Sequence, residues 1–423
     1  MSARRLPPGW KEKELGKIAQ LSGRIGWKGL TAKEYTKKGP LFLSVHSLNY
    51  GDYVDYRDAF HISQERYDES PEIMLRPNDV LICKDGAGIG KLAIVGDDLP
   101  GQATINSSLL LIRAQEDILP KYLYYILCSP YFQDIVKSRL MGATTPHLYQ
   151  RDIAEFPIYL PSLAEQQRIV TILDEALAAL ATATDNAEKN LKNARDLFDS
   201  CVSSTFQEDH DWEEVTLGEV AEFKNGLNFN KSSKGQEISI VGVRNFQNNL
   251  WVPLDDLDRV RIDGELNDAY VLRRGDILTV RSNGNKQLIG RCILAPEISS
   301  KASHSGFTIR IRITRPDIDP HYLVRFLKSA EARKSLVESG DGAQISNLNQ
   351  QALTSLSVKL LKPKEQRDVV ARLEGIEADA NRLQLFYEQR ISQLAELRQS
   401  ILQTAFSGGL NSLPSETIDE AAE

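Results

Sequence analysis

At 423 residues, with 41% hydrophobic and 26% charged side chains, the chain is long enough to bury two ordinary cores. It has no run of about 18 apolar residues, and its first ten residues lack the apolar stretch of a signal peptide, so membrane insertion and secretion are excluded as expectations and a cytoplasmic protein is expected. A formal net charge of -7 argues against a uniformly basic nucleic-acid binder, but the charge is uneven: ten Lys/Arg face three acids over 1–40 and nine face two over 273–315, while eight acids face four bases over 163–208.

In chain order, short β-like runs broken by glycine occupy 40–45, 79–83, 92–95, 108–113 and 156–160, with one helical stretch at 121–138. Strands with an embedded helix predict a mixed α/β or α+β domain over residues 1–161. Ser162 and Glu165 then make a capping-box pattern, and Val170, Leu173, Leu177, Leu180, Thr184, Ala187, Leu191, Ala194 and Phe198 recur at alternating spacings of three and four. That periodicity predicts a single helix over 162–208 with a coiled-coil seam. Residues 209–362 repeat the first domain, with strands at 238–243, 276–280, 291–294, 307–313 and 356–361 and a helix at 321–338. Pro363 suits a helix's first turn and opens a second long helix to 407, whose seam takes in Leu373, Leu383, Tyr387, Ile391, Leu394 and Ile401. The polar, acidic residues 408–423 read as a disordered tail.

The repetition extends to identity. Tyr122, Gly142, Gln150, Glu165, Gln166, Leu173 and Phe206 each meet the same residue type 200 positions later, at Tyr322, Gly342, Gln350, Glu365, Gln366, Leu373 and Phe406. The chain is a tandem duplication whose period is far too long for a solenoid. Each long helix of about 44 residues would extend about 66 Å and needs a partner for its narrow apolar seam. The comparable seam is its own duplicate, and the intervening domain lets the second helix return beside the first. The expected architecture is therefore two globular domains separated by an antiparallel coiled coil, with pseudo-twofold symmetry.

No catalytic constellation emerges from the residues. The six histidines show no HExxH spacing, no GxSxG elbow exists, and the four cysteines are scattered without metal-ligand spacing, so no metal site is expected. Gly86, Gly88, Gly90 and Lys91 resemble a phosphate loop, but Asp85 and Leu92 stand where a Walker loop needs Gly and Ser or Thr. A glycine-rich turn between two strands fits better, matched in the second half by Arg281, Ser282, Asn283, Gly284, Asn285 and Lys286. Amide, imidazole and guanidinium groups at matched loops are the types that read base edges or hold phosphates. They are Lys28, His46, Ser47, Asn49, Lys84, Lys91, Thr144, Thr145 and His147 in the first half. The second half offers Asn225, Arg244, Asn245, Gln247, Arg281, Asn283, Asn285, Lys286, Gln344, Ser346 and Asn347. Two other readings stand beside DNA recognition: a coiled-coil scaffold without sequence readout, and a nucleotide-binding enzyme using the loop at 86–91.

The order of these features, and above all Pro161-Ser162-Leu163-Ala164-Glu165-Gln166 leading into the long helix, resembles the specificity subunit of type I restriction-modification systems. Gly9-Trp10 with Leu15-Gly16, and the stretch 142–148, are similar as well. The second copy departs from the family's Pro-Leu with Lys362-Pro363-Lys364. The resemblance implies target-recognition domains at 9–161 and 209–362, each reading one half of a bipartite double-stranded DNA target through the major groove. It implies that the helices set the unread spacer and dock two methyltransferase subunits, and that two restriction/translocase subunits join them in bacterial defence. It further implies a non-catalytic chain without a cofactor of its own, S-adenosylmethionine, ATP and Mg belonging to the partner subunits.

Overall fold

The computed structural model describes residues 8–24, 30–140, 147–208, 211–230, 232–247, 249–338, 348–407 and 409. Lys28, Thr144, Thr145, Gln344, Ser346, Asn347, the Lys286 side chain and, apart from Gly409, the 408–423 tail lie outside the described residues. The chain divides into two compact units, Met1–Ala187 with Arg390–Glu423, and Glu188–Gln389, so each long helix contributes to both.

The first unit contains β1 (Lys11–Glu14), β2 (Ala19–Gly23), β3 (Thr36–Leu43), β4 (Phe60–His61), α1 (Gln64–Asp68), β5 (Val80–Cys83), β6 (Leu92–Ile94), β7 (Ala103–Ile105) and β8 (Leu109–Ala114). Then follow α2 (Pro120–Cys128), α3 (Pro130–Leu140), α4 (Gln150–Ala154), β9 (Pro157–Leu160) and the start of α5 (Leu163–Thr205). An antiparallel sheet in the order β2-β8-β5-β6 is its centre, beside a smaller sheet β4-β3-β7 in which β3 and β7 are parallel. β1 pairs with β9, tying the start of the domain to its last strand before the helix. Continuous apolar runs in β5 and β8 mark a sheet covered on both faces, and side chains alternate between them. Val80, Ile82, Leu110 and Ile112 pack toward the helices, while Leu81, Cys83, Leu109 and Leu111 pack in the cluster shared with the smaller sheet.

The second unit repeats this with β10 (Glu213–Thr216), α6 (Leu217–Val220), β11 (Ala221–Asn225), β12 (Glu237–Val241), β13 (Asp258–Arg261), β14 (Ile277–Val280), β15 (Cys292–Leu294), β16 (Ala302–His304) and β17 (Thr308–Ile313). After these come α7 (Pro320–Lys328), α8 (Ala330–Glu338), α9 (Gln350–Thr354), β18 (Ser357–Leu360) and α10 (Pro363–Phe406). Its sheets are β11-β17-β14-β15, β13-β12-β16 and β10-β18, strand for strand the same arrangement. The single helix expected at 121–138 is two, as is its counterpart, because Ser129 and Ser329 are extended. Pro130 disfavours helical backbone at Ser129. In both copies the serine hydroxyl is drawn into the turn, donating to Ile126 O in one and accepting from Ala332 N in the other.

The long helices run antiparallel where they meet within each unit. In the first, Ile169, Val170, Leu173 and Leu177 of α5 share a core with Leu402, Ala405 and Phe406 of α10. In the second, Arg195 donates to Gln384 and Glu388, and Arg372 donates to Thr205 Oγ1. Val170, Leu173, Leu177, Leu373 and Leu394 are buried, and Leu180, Leu191, Phe198, Tyr387, Ile391 and Ile401 are half-buried. Leu383 departs from the expected seam at 41% exposed. From buried Ala380 the seam takes a step of four, and Gln384 meets Arg195 while Leu383 faces out.

Each helix start is fastened by a buried glutamine. Gln166 accepts from Leu119 N (2.9 Å) and donates to Pro161 O (3.1 Å) and Asp117 O (3.0 Å). Ser162 Oγ accepts from Glu165 N, while the Glu165 carboxylate takes two hydrogen bonds from Arg168.

Candidate nucleic-acid interface

In the first unit the β5–β6 turn is the hub of the candidate residues. Gly86–Gly88 forms a short 3-10 turn, and Gly88 lies so close to Val45 that a Cβ would come within 2.6 Å of its side chain. This close approach brings the 45–49 loop against the turn, where Lys91 Nζ donates to Asn49 Oδ1 at 2.6 Å. On the other side Leu148 N donates to Lys84 O at 2.9 Å, and the His147 ring meets the Asp85 carboxylate. Asn49, Lys91, Lys84 and His147 thus gather around one turn, with His46 exposed on the adjoining loop. Ser47 is buried, and its hydroxyl cannot present itself to a base in this conformation. The loop sequence did not single out Tyr149 and Arg151, yet the Arg151 guanidinium lies 5.2 Å over the Tyr149 ring, which itself abuts His147. An aromatic ring exposed beside a histidine and an arginine is the signal that could have found them.

In the second unit Leu348 N donates to Arg281 O at 2.7 Å, the same crossing of turn and loop. The turn is built differently: Asn283 Oδ1 accepts from Asn285 N, and Asn285 Oδ1 accepts from Gln287 N, so both amides hold their own backbone. Beside it opens a cavity of about 590 Å³ lined by Phe229, Phe307, Arg259, Asp258, Ser282 and Asn283. Phe307 is 62% exposed there, and neither phenylalanine was anticipated as part of the surface. Asn225 is exposed at the end of β11, opposite Ile309. Arg244 is exposed but clamped by Asp256 and Asp258 at 2.8 and 2.9 Å, and the two carboxylates hold its proton more firmly than usual. To grip a phosphate it must exchange those acids. Asn245 is buried, accepting from Gly242 N and donating to Asp256 O, so its amide is committed to shaping the loop. Gln247 does not join this turn; it lies at a separate cavity, where Arg291 donates to its carbonyl.

The remaining expectations concern chemistry. Among the described residues no group of three or more His, Cys, Asp or Glu is arranged to hold a metal ion, and no helix is long and apolar enough to cross a membrane. His304 is buried on β16 with Nδ1 2.9 Å from Thr308 Oγ1, and burial pushes its pKa down to about 3.

Two family domains are recognisable in the sequence, each described as a type I restriction modification DNA specificity domain, over residues 7–192 and 209–388. The chain is 26% identical to the StySPI specificity subunit of Salmonella potsdam, over 97% of this chain and 91% of that one. It is 24% identical to the EcoKI specificity subunit of Escherichia coli K12 at the same coverage. A chain from a solved type I restriction-modification assembly superposes with a TM-score of 0.73 at 20% identity, covering 95% of this chain and 98% of that one. The HsdS subunit of Thermoanaerobacter tengcongensis superposes with a TM-score of 0.54 at 21% identity, covering 96% and 99%.

Proposed function

Because the chain belongs to the type I restriction modification DNA specificity family, we propose that each of its two domains reads one half of a bipartite double-stranded DNA target, and that the chain itself catalyses nothing. The observation that carries this reading is the pairing of a repeated frame with unlike turns: Lys84, Lys91 and His147 crown one domain, and Arg281, Asn283 and two phenylalanines crown the other. A common frame fixes where a turn meets the major groove, and side-chain chemistry at that turn fixes the base. Arg259, Arg281, Lys84 and Lys91 supply phosphate contacts or guanine edges, while Phe229 and Phe307 offer apolar surface to a thymine methyl.

The paired helices set the number of unread base pairs. A 43-residue helix extends about 65 Å, enough to span half-sites one turn of DNA apart, about 34 Å. Two methyltransferase subunits dock on the helices and bring S-adenosylmethionine, and two restriction/translocase subunits bring ATP and Mg. The test is to exchange residues 9–161 for the corresponding domain of a relative and map methylated sites in cells carrying the partners. One half of the target should change and the other persist. A change in both halves would defeat independent readout.

A further inference from the structure

The second unit holds a second cavity, of about 480 Å³, lined by α7, α8, residues 195–203 of α5 and residues 377–384 of α10. Five cations line it, Arg195, Arg291, Arg325, Lys328 and Arg333, against two carboxylates, Asp199 and Glu377. Arg325 is only 2% exposed. Its Nη2 meets Glu377 at 2.9 Å, but its Nε and Nη1 are buried with no hydrogen-bond partner among the described residues. The Arg291 Nε is likewise buried and unpartnered, although that side chain donates to Gln247 O at 2.6 Å. Burial holds both the Arg291 and the Lys328 pKa below their ordinary values, with Arg333 adding to the effect at Arg291. Unmet donors on a buried guanidinium are costly, and their persistence at a cavity wall points to an absent acceptor.

The first unit shows what completes such a corner. There Arg398 and the Tyr124 hydroxyl both donate to Asp52, and Lys121 and the Tyr125 hydroxyl both donate to Asp174. Asp52 precedes β6 by the same backbone pairing that Leu250 makes with β15: Ile94 N donates to Asp52 O, and Leu294 N to Leu250 O. Leu250 therefore stands in the place of that carboxylate, and it lines the cavity. Tyr125 and Cys128 have become Arg325 and Lys328, 200 positions on. The second corner has thus gained Arg325 and Lys328 and lost the Asp52 carboxylate, while Glu377 stands where the first unit has Leu177 and Phe198 where it has Arg398.

We propose that this cavity binds a phosphate group, which takes the place held by the Asp52 carboxylate in the first unit. Arg195 is held by Gln384 and Glu388, and the other three guanidiniums, Arg291, Arg325 and Arg333, with the Lys328 ammonium suit a phosphate, whose oxygens accept several charge-assisted hydrogen bonds at once. The first residue of the nine-residue helix α8, Ala330, also lines the cavity, and a helix N-terminus favours an anion. The volume admits inorganic phosphate or a ligand of nucleotide size.

The test is calorimetric titration of the full-length chain with inorganic phosphate and with pyrophosphate, in phosphate-free buffer. Saturable binding at one site per chain is expected, weakened at least tenfold by Arg333→Gln, which leaves Arg325 and Glu377 paired. Leu250→Asp should restore an internal acid and abolish binding while leaving the melting temperature in phosphate-free buffer unchanged or higher. A second arm titrates duplex DNA against salt. If the phosphate comes from the DNA backbone, free phosphate will not bind and Arg333→Gln will shallow the salt dependence of DNA affinity by about one counterion. Absence of both effects, or phosphate binding indifferent to Arg333→Gln and Leu250→Asp, would overturn the proposal.

Discussion

Gln166 and Gln366 make the same three hydrogen bonds in their two units, to Leu119 N, Pro161 O and Asp117 O in one and to Asp319 N, Leu361 O and Asp317 O in the other. Asp79 and Asp276 likewise each take two hydrogen bonds from an arginine, Arg113 or Arg312, and one from a backbone N–H. Elsewhere the copies differ in whole sets: Ile105 and Leu109 in one core become His304 and Thr308, hydrogen-bonded to each other, in the second. The contrast shows what holds a residue in place across a duplication. A buried polar group whose partners are backbone atoms of the shared frame cannot change alone, whereas groups that satisfy one another can be exchanged together.

The sharpest way to break this comparison is to remove the buried acid of the frame. Asp276→Ala strands Arg312 and should cost about 3–5 kcal/mol, with Asp79→Ala costing the same in the first unit. Urea unfolding read by hydrogen exchange assigns the loss to each unit, and a cost below about 1 kcal/mol in either copy would show that the frames are not equivalent. On the helices, Leu173→Ala and Leu373→Ala should each cost about 2–5 kcal/mol because both leucines are fully buried. Leu383→Ala should stay within about 0.5 kcal/mol. A large effect at Leu383 would return it to the seam.

The periodicity of the sequence carried the long helices, their antiparallel return and the duplicated order of strands, because burial of one stripe or one sheet face leaves a repeating trace. Leu383 misled because apolar identity was allowed to set the step from Ala380, whereas Arg195 selects Gln384. The three-residue strands β7 and β16 are too short to leave a period, and β1 with its charged residues carries no apolar signal at all. At the candidate interface, residue type located the turns at 84–91 and 281–286 but could not separate a side chain that faces solvent from one that shapes its loop. Ser47 and Asn245 belong to the second kind.

A smaller effect sharpens the role of the repeated glutamine. Gln366→Leu removes both donors and the acceptor at once, leaving Asp319 N and two carbonyls without their partner, and should cost about 1–3 kcal/mol. Gln166→Leu should match it within error when thermal unfolding of the two variants is compared, since the geometry is the same to within a few tenths of an ångström.

The last difference between the units is one of pH. His304 is neutral in the fold, with its pKa pushed down to about 3 mainly by burial and further by Arg310 and Arg312, against an ordinary value of 6.5 once unfolded. Between those values the unfolded chain binds a proton that the folded chain refuses. The stability contributed by the neutral ring is therefore complete above pH 6.5 and is lost as pH falls toward 3, by up to about 1.4 kcal/mol per pH unit. Ile105 occupies the matching position beside β3, as His304 does beside β12, so the first unit lacks this sensitivity. Replacing the ring by leucine leaves Thr308 Oγ1 its bond to Ser305 O, so the variant tests titration rather than a stranded hydroxyl. Urea unfolding at pH 7.5, 6 and 5 should show His304→Leu gaining on the parent protein as pH falls, with the gain confined to the second unit. A difference between the two proteins that stays constant across that range would mean that the ring takes up its proton in the fold as readily as in the unfolded chain, and the second core would then admit a charge that burial, Arg310 and Arg312 should expel.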